Sequence, residues 1–302
     1  MFKSKNSMSR ALVRRETTAG YLFLLPSLFF FVTFVLYPMF LCIYTSFFDS
    51  NMGKNAVDVF VGLGNYKELF RDKLFLGALK NTVVIVVVAV PTVCAFSLWV
   101  ATAIYDMKSA LTSAFRCIFY LPVVTGSVAV TVVWKWMYNS RYGVFNYLFK
   151  SLGIIDQNIN WLGDARFALW CIILILFTTS VGQPIVLYVS ALGNVDHSLV
   201  EAAQVDGANR RQVFWKIKWA QIMPTTLYIL IITTINSFQC FALIQLLTSG
   251  GPTHSTDTIM YYIYYTAFKL YRYGYGNAMG VVLMVIIAVL SAVQFKLGQQ
   301  SD

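Results

Sequence analysis

Six stretches of the chain, at about 21–45, 82–105, 117–138, 167–192, 224–247 and 278–295, run on apolar side chains with scarcely a charge among them. Crossing a bilayer takes about 20 such residues, because a helix rises only about 1.5 Å per residue against a hydrocarbon core of about 30 Å. Backbone N–H and C=O groups inside that core must be bonded within their own segment, so each stretch is helical. The pattern predicts an all-α integral membrane protein with six transmembrane helices.

Composition agrees where it bears on class. With 58% hydrophobic and 12% charged residues the chain is too apolar for an ordinary soluble domain. The formal charge of +10 raises nucleic acid as a partner. Its cationic residues are scattered through connecting segments and form no stripe with interleaved aromatics, so they read as membrane-flanking charges and no nucleic acid is expected. Five cysteines, at 42, 94, 117, 171 and 240, lie in or beside apolar spans with no metal spacing, and read as small core hydrophobes. His197 and His254 fall on opposite sides of the membrane, which leaves no metal site.

Residues 1–19 carry Lys3, Lys5, Arg10, Arg14 and Arg15 against Glu16 alone and read as a cytoplasmic tail. The first span is longer than the apolar region of a signal peptide and shows no cleavage pattern, so it stays. Pro26 sits in its first turns, while Pro38 should kink it. The connection at 46–81, with Asn51-Met52-Gly53, reads as an outer loop with turns and a surface helix. A basic link holding Lys108 and Arg116 leads into the third span, which ends in Trp134-Lys135-Trp136-Met137-Tyr138, an aromatic belt with a snorkelling lysine. Residues 139–166 form a second outer connection. By parity the tail and the segment after the fourth span share the cytoplasmic side, as Arg210, Arg211, Lys216 and Lys218 support. The C-terminal tail, 297–302, is cytoplasmic too.

That segment, about 193–223, is the polar feature the spans are arranged around. Ser198 and Glu201 are spaced as a capping box opening a short helix, and Gly207 closes it. Leu199, Ala202, Ala203 and Asp206 share one face, where two alanines let another surface come close. Asn209 and Gln212 make a second capping box, and Pro224 marks the start of the fifth span.

The segment resembles the EAA loop of binding-protein-dependent ABC transporter permeases, whose pattern is Glu-Ala-Ala, three residues, Gly, nine residues, Ile, then Leu-Pro. Glu201, Ala202, Ala203, Gly207 and Ile217 fit that spacing; Trp219 and Ala220 stand where Leu-Pro is expected, and only Pro224 follows. The likeness extends over about 20–296. Gly20 to Ser27, Tyr142 to Leu148, Trp161-Leu162-Gly163-Asp164, Leu247 to Pro252, Thr256 to Tyr264 and Gly274-Tyr275-Gly276 look like the carbohydrate-uptake permeases related to the maltose and glycerol-3-phosphate systems. The resemblance implies the type I ABC importer permease fold. It also implies a transporter with an ATP-binding subunit dimer, a second, related permease and an extracytoplasmic solute-binding protein. ATP and Mg belong to the partner ATPase, and no cofactor is expected in this chain. A coupling helix of Glu201, Ala202, Ala203, Asp206, Gly207 and Ala208 would dock in a groove of the ATPase.

A sugar pathway needs amides, hydroxyls and aromatic faces with few charges. Gln183 and Tyr188 in the fourth span, and Asn236, Gln239 and Gln245 in and beyond the fifth, are the candidates, with Phe238 and Phe241 beside them. Interhelical hydrogen bonding is the alternative role for such residues. The run Tyr261 to Tyr265 reads as an interfacial belt and Thr248 to Pro252 as a turn at the outer mouth that could meet the binding protein. Spans almost free of ionisable groups argue against a proton-coupled carrier or voltage sensor. A sodium-coupled carrier and a permease for a non-sugar solute are the remaining alternatives. No phosphate loop, His-Glu-x-x-His or Gly-x-Ser-x-Gly occurs, so no catalysis of its own is expected.

Overall fold

The computed structural model describes residues 3–50 and 58–299, with side chains for 16–50 and 58–298. The Asn51-Met52-Gly53 turn and the end of the C-terminal tail lie outside the described residues. Helix α1 (Lys3–Phe31) runs from the basic tail straight into the first span. Pro38 breaks the helical ladder, because it lacks an N–H, and the chain responds with a π-helical turn at Val32–Leu36 before α2 (Tyr37–Thr45). The expected kink is thus a widened turn. A two-residue ribbon follows, β1 (Phe48–Asp49) antiparallel to β2 (Val59–Phe60), with Phe48 opposite Phe60.

The surface helix expected in the first outer connection is α3 (Gly64–Leu69). That connection ends earlier than its composition suggests. Asp72 accepts a hydrogen bond from the Leu74 backbone N–H and caps α4 (Lys73–Ile104), so the second span begins before Thr82. The third span is two helices, α5 (Ser109–Val124) and α6 (Ser127–Met137), meeting at 95°. Pro122 weakens the last turn of α5, and Thr125 and Gly126 take extended backbone angles, which turns the chain. Helix α7 (Val144–Ser151) lies in the second outer connection.

The fourth span is α8 (Ala168–Ser180) and α9 (Gly182–Gly193), joined through Val181. Then come α10 (His197–Val205) and α11 (Arg210–Val213), a π-helical turn at Phe214–Lys218, and α12 (Trp219–Phe238). Pro224 therefore stands inside a helix that began at Arg210 rather than at its start. That helix stops at Gln239, inside the expected fifth span, and resumes as α13 (Ala242–Leu247). The chain closes with α14 (Ile259–Tyr264), a π-helical turn at Tyr265–Lys269, and α15 (Tyr273–Gln299). Among the described residues five helical runs are long and apolar enough to cross a membrane, and the bent α5–α6 pair makes the sixth crossing.

The centre of the bundle is where α4, α9 and α12 meet. Val93, Val100, Ala101, Ile185, Tyr188, Ile222 and Ile229 pack together there. Lipid is as apolar as these side chains, so close packing and interhelical hydrogen bonds hold the helices together. Ser97 supplies one such bond, donating to the Val181 carbonyl at 3.3 Å. Gly182 makes the α5–α9 contact possible: a Cβ there would lie 2.4 Å from the Phe119 carbonyl oxygen. The run from Glu16 to Thr45 is the opposite case, since none of its most apolar stretch is buried.

Candidate functional site

Three stations along the helix that begins at Arg210 carry the polar chemistry. The first precedes it. Asp196 caps α10 by accepting from the Ser198 backbone N–H at 2.9 Å. Ser198, side chain first and backbone second, holds the Asp196 carboxyl below its usual range. The cap is thus Asp196, two residues before Ser198, and Glu201 is an exposed side chain with no part in opening the helix.

At the other end Gly207 takes φ +83°, its N–H donates to the Gln204 carbonyl, and the Ala208 N–H reaches the Ala203 carbonyl at 2.9 Å. This pair of bonds is the Schellman closure, and it needs a residue that tolerates a left-handed backbone. The Asn209–Gln212 capping box then forms as the spacing predicts. Ala202 and Asp206 are exposed, Ala203 and Ala208 half-buried, and Leu199 and Val205 show large apolar surface.

The segment is fastened to the bundle at its two ends. Gln221 accepts from the Asp196 backbone N–H, and the Lys218 ammonium meets the Tyr105 hydroxyl and sits 4.6 Å from the centre of its ring.

The second station is a groove at the broken end of α12. Gln183 from α9 and Asn236 from α12, both exposed, line a crevice of about 150 Å³ with Thr179, Ser180 and Thr233. It shares Thr179 and Val123 with a larger crevice of about 350 Å³ lined by Thr125, Ser127 and Gln239. The two make one groove, and no charged side chain lines it. Both breaks, α5–α6 and α12–α13, open onto the larger crevice.

Sequence reading alone missed Thr125, Ser127 and Thr179. Pro122 and Gly126 inside an apolar span were the signal that could have found them.

Two candidates sit elsewhere. Tyr188 follows Gln183 by five residues, which turns it about 140° around the helix. It is buried in the core with its hydroxyl at Thr226. Gln245 lies half-buried on α13 past the break, where its backbone carbonyl accepts from the Ser249 hydroxyl. Phe238 is buried as well, whereas Phe241 lines the larger crevice and meets Tyr264 edge-on at 5.0 Å.

The third station is the outer loop 248–258, which is folded inward. Thr256, Asp257 and Thr258 are all buried. Thr258 donates to the Cys240 carbonyl at 2.7 Å, so the loop pairs a backbone group freed by the break in the fifth span. The Asn81 amide donates to the carbonyls of Ser255 and Asp257. His254, expected to stand alone, meets the Asp257 carboxylate at 2.7 Å. Burial pushes the Asp257 carboxyl above its usual range against the pull of that histidine.

Gly250 has φ +84°, and a Cβ there would lie 2.0 Å from the Asp257 Oδ1. The tyrosine run serves this interior rather than a belt: Tyr261 donates to the Ser249 carbonyl and Tyr262 to the Asp72 carboxylate. Tyr138 likewise leaves the aromatic belt and is buried, stacked on Phe145 at 4.8 Å.

A polar, uncharged groove among membrane-crossing helices, joined through one helix to an exposed capped segment, defines the membrane-embedded subunit of a solute transport system. The chain matches the binding-protein-dependent transport system inner membrane component family over residues 61–300 and belongs to that family. It is 32% identical to the lactose transport system permease protein LacF of Rhizobium radiobacter, over 94% of this chain and 95% of that one. It is equally 32% identical to the multiple sugar-binding transport system permease protein MsmF of Streptococcus mutans, over 94% and 96%. Among solved structures, a chain of the bacterial alginate ABC transporter in complex with its alginate pentasaccharide-bound periplasmic protein shares the fold. There the TM-score is 0.80 at 24% identity, covering 93% of each chain.

Proposed function

We propose that this chain is one of two transmembrane subunits of an ATP-driven importer that carries a sugar or oligosaccharide into the cell. The observation that carries the reading is the groove. Amides and hydroxyls from Thr125, Ser127, Thr179, Gln183, Asn236 and Gln239 line it among the membrane-crossing helices, a poor surface for lipid and a good one for sugar hydroxyls. The names of LacF and MsmF point to the same class of solute. In this reading residues 20–296 form the permease domain between a cytoplasmic tail, 1–19, and a cytoplasmic C-terminus, 297–302. It sits in the cytoplasmic membrane of a bacterium or archaeon.

Residues Glu201, Ala202, Ala203, Asp206, Gly207 and Ala208 dock on a dimer of ATP-binding subunits, which hold ATP and Mg. A second, non-identical permease completes the pathway, and a solute-binding protein delivers the sugar outside. ATP shifts the cycle through its different affinity for the two ATPase states. The helix from Arg210 to Phe238 links the docked segment to the groove, so a tilt at one end opens or closes the other.

The test is uptake of radiolabelled sugars by cells carrying Asn236→Ala with Gln239→Ala. A loss of rate of about tenfold, or a changed order of preference, is expected from removing two hydrogen-bonding groups. Unchanged rate and selectivity would take both residues out of the pathway. Uptake that ends with an ion gradient while ATP persists would replace the importer by a carrier.

A further inference from the structure

Helix α7 carries a line of apolar side chains that the bundle does not cover. Val144, Leu148 and Leu152 follow at four-residue spacing within an arc of about 80° around the helix, and all three are exposed, Leu152 by 62%. Packing fixes the height of this helix. The chain leaves α6 at Met137 and doubles back at once: a Cβ at Gly143 would lie 2.3 Å from the Asn139 carbonyl oxygen and 2.5 Å from that of Met137. Phe145 then stacks on Tyr138, just past the end of α6, at 4.8 Å, and on Trp134 of its last turn at 6.0 Å. That last turn also exposes Trp136, one turn beyond the exposed Val132. Exposed tryptophan at the end of a crossing helix marks the level where hydrocarbon gives way to headgroups. Helix α7 lies at that level.

Its contacts also say which way each face is turned. Phe145 reaches back to Trp134, toward the interior of the membrane. Asn146, about 100° further round, is turned the other way, and its amide donates to the carbonyls of Ser140, past the end of α6, at 3.2 Å and of Ile159 at 2.9 Å. Going round the helix from Asn146 to Phe145 therefore leads from water toward the bilayer, and the next side chains in that sense are Leu152, Leu148 and Val144. In the opposite sense the next is Lys150, exposed and about 160° from the middle of the apolar line. Tyr147, 78% exposed, stands between Lys150 and Val144 on the side away from the bundle. An apolar line on the bilayer side with a lysine opposite is the pattern of a helix lying in a membrane surface.

We propose that α7 is seated in the outer leaflet of the bilayer, with Val144, Leu148 and Leu152 among the acyl chains, the Tyr147 ring at the headgroups and Lys150 reaching their phosphates. Its stacking on Trp134 and Tyr138 ties the end of α6 to that surface. Which leaflet it is rests on the orientation given under the proposed function; the seating in a membrane surface does not.

The test takes the protein with its partner subunits in native membranes and makes two variants, Leu152→p-benzoylphenylalanine and Lys150→p-benzoylphenylalanine, irradiates each and identifies the adducts by mass spectrometry. Phospholipid adducts are expected at position 152, with about fivefold fewer at position 150. Adducts at 152 to a second permease or a solute-binding protein would overturn the proposal, since this face would then be a protein interface. Equal lipid yields at the two positions would overturn it too, as would the absence of any adduct at 152.

A second measurement needs no variant. In nanodiscs, hydroxyl radicals made in the water should spare Leu148 and Leu152, while a carbene released from a reagent dissolved in the lipid should label both. Oxidation of the two leucines as fast as in the unfolded chain, or no carbene label on them, would sink the idea. Sugar uptake enters neither measurement, so a failed importer reading leaves lipid contact to stand or fall alone.

Discussion

Gly207 and Gly250 hold almost the same backbone angle, φ +83° and +84°, in opposite settings. Around Gly207 no atom lies within 4 Å of where a Cβ would be; at Gly250 the Asp257 Oδ1 is 2.0 Å away. The contrast extends to the loops they belong to. The segment at 194–209 is held at its ends and leaves apolar side chains uncovered, with Val205 87% exposed. The loop at 248–258 turns Thr256, Asp257 and Thr258 inward, and Thr256 and Thr258 bond this chain's own backbone. On the function proposed above, the first is the surface that another subunit covers. The other is internal scaffolding that pairs a backbone carbonyl freed where the fifth span breaks.

If that is right, equivalent changes should have unequal effects. Gly250→Ala should be the most damaging. It adds a collision with a buried carboxylate to an unfavourable backbone angle, at a combined cost of about 3 kcal/mol or more. The protein should accumulate poorly, and what survives should melt at a clearly lower temperature in detergent and move no solute. Near-normal melting would show that the loop yields easily and is no scaffold.

Next comes Thr258→Val, which keeps the shape but strips the bond to the Cys240 carbonyl and the one from the Tyr261 N–H. Leaving a buried carbonyl unpaired costs about 2 kcal/mol. Uptake should fall with partner subunits still bound. If uptake persisted while assembly failed, the division between the two regions would be wrong.

The two regions also differ in how far the sequence reveals them. The end of α10 at Gly207 and the Asn209–Gln212 capping box follow from local rules, because each involves residues within about one helical turn. Even there the local reading chose Ser198 over Asp196 as the cap, since both fit and the competition is settled by two residues of backbone. The number and order of the spans are just as legible, because hydrophobic length is a strong constraint in a bilayer. The breaks within spans are not. Pro122 with Gly126 turns α5 from α6 by 95°, yet Pro26 leaves α1 helical and Pro224 leaves α12 helical. What differs is the surroundings: residues distant in sequence pair the groups a break releases, as Thr258 does for Cys240. Tyr188 was misplaced for a related reason, because a polar tip in a span says nothing about which neighbour it meets.

Gly207→Ala sharpens the comparison from the other side. With nothing for the new methyl group to strike, the cost is the left-handed backbone alone, about 1 kcal/mol. The melting temperature of the isolated chain should barely move, because α10 contributes little to the bundle. Retention of ATP-binding subunits on purification should weaken severalfold. Equal losses of stability from Gly207→Ala and Gly250→Ala would erase the distinction drawn between the two loops.

The smallest effect is expected from removing the charge at Asp257 without removing its shape. Burial raises its carboxyl above the ordinary 3.8, and His254 pulls the other way without cancelling the rise. Between 3.8 and the raised value the folded loop keeps a proton that the unfolded chain has released, so stability falls as pH rises through that window. Above it the carboxylate depends on His254 alone among charged neighbours, with the phenols of Tyr261 and Tyr262 nearby. Asp257→Asn removes the titrating group, so the melting temperature should lose this part of its dependence on pH and, above the window, lie slightly over that of wild type. The same comparison for Asp196→Asn tests the exposed region with the opposite sign. Its carboxyl is held low by Ser198, so wild type gains stability as pH rises through the ordinary carboxylate range and the variant does not. Parallel pH profiles in the two variants would mean that burial and exposure do not separate these loops.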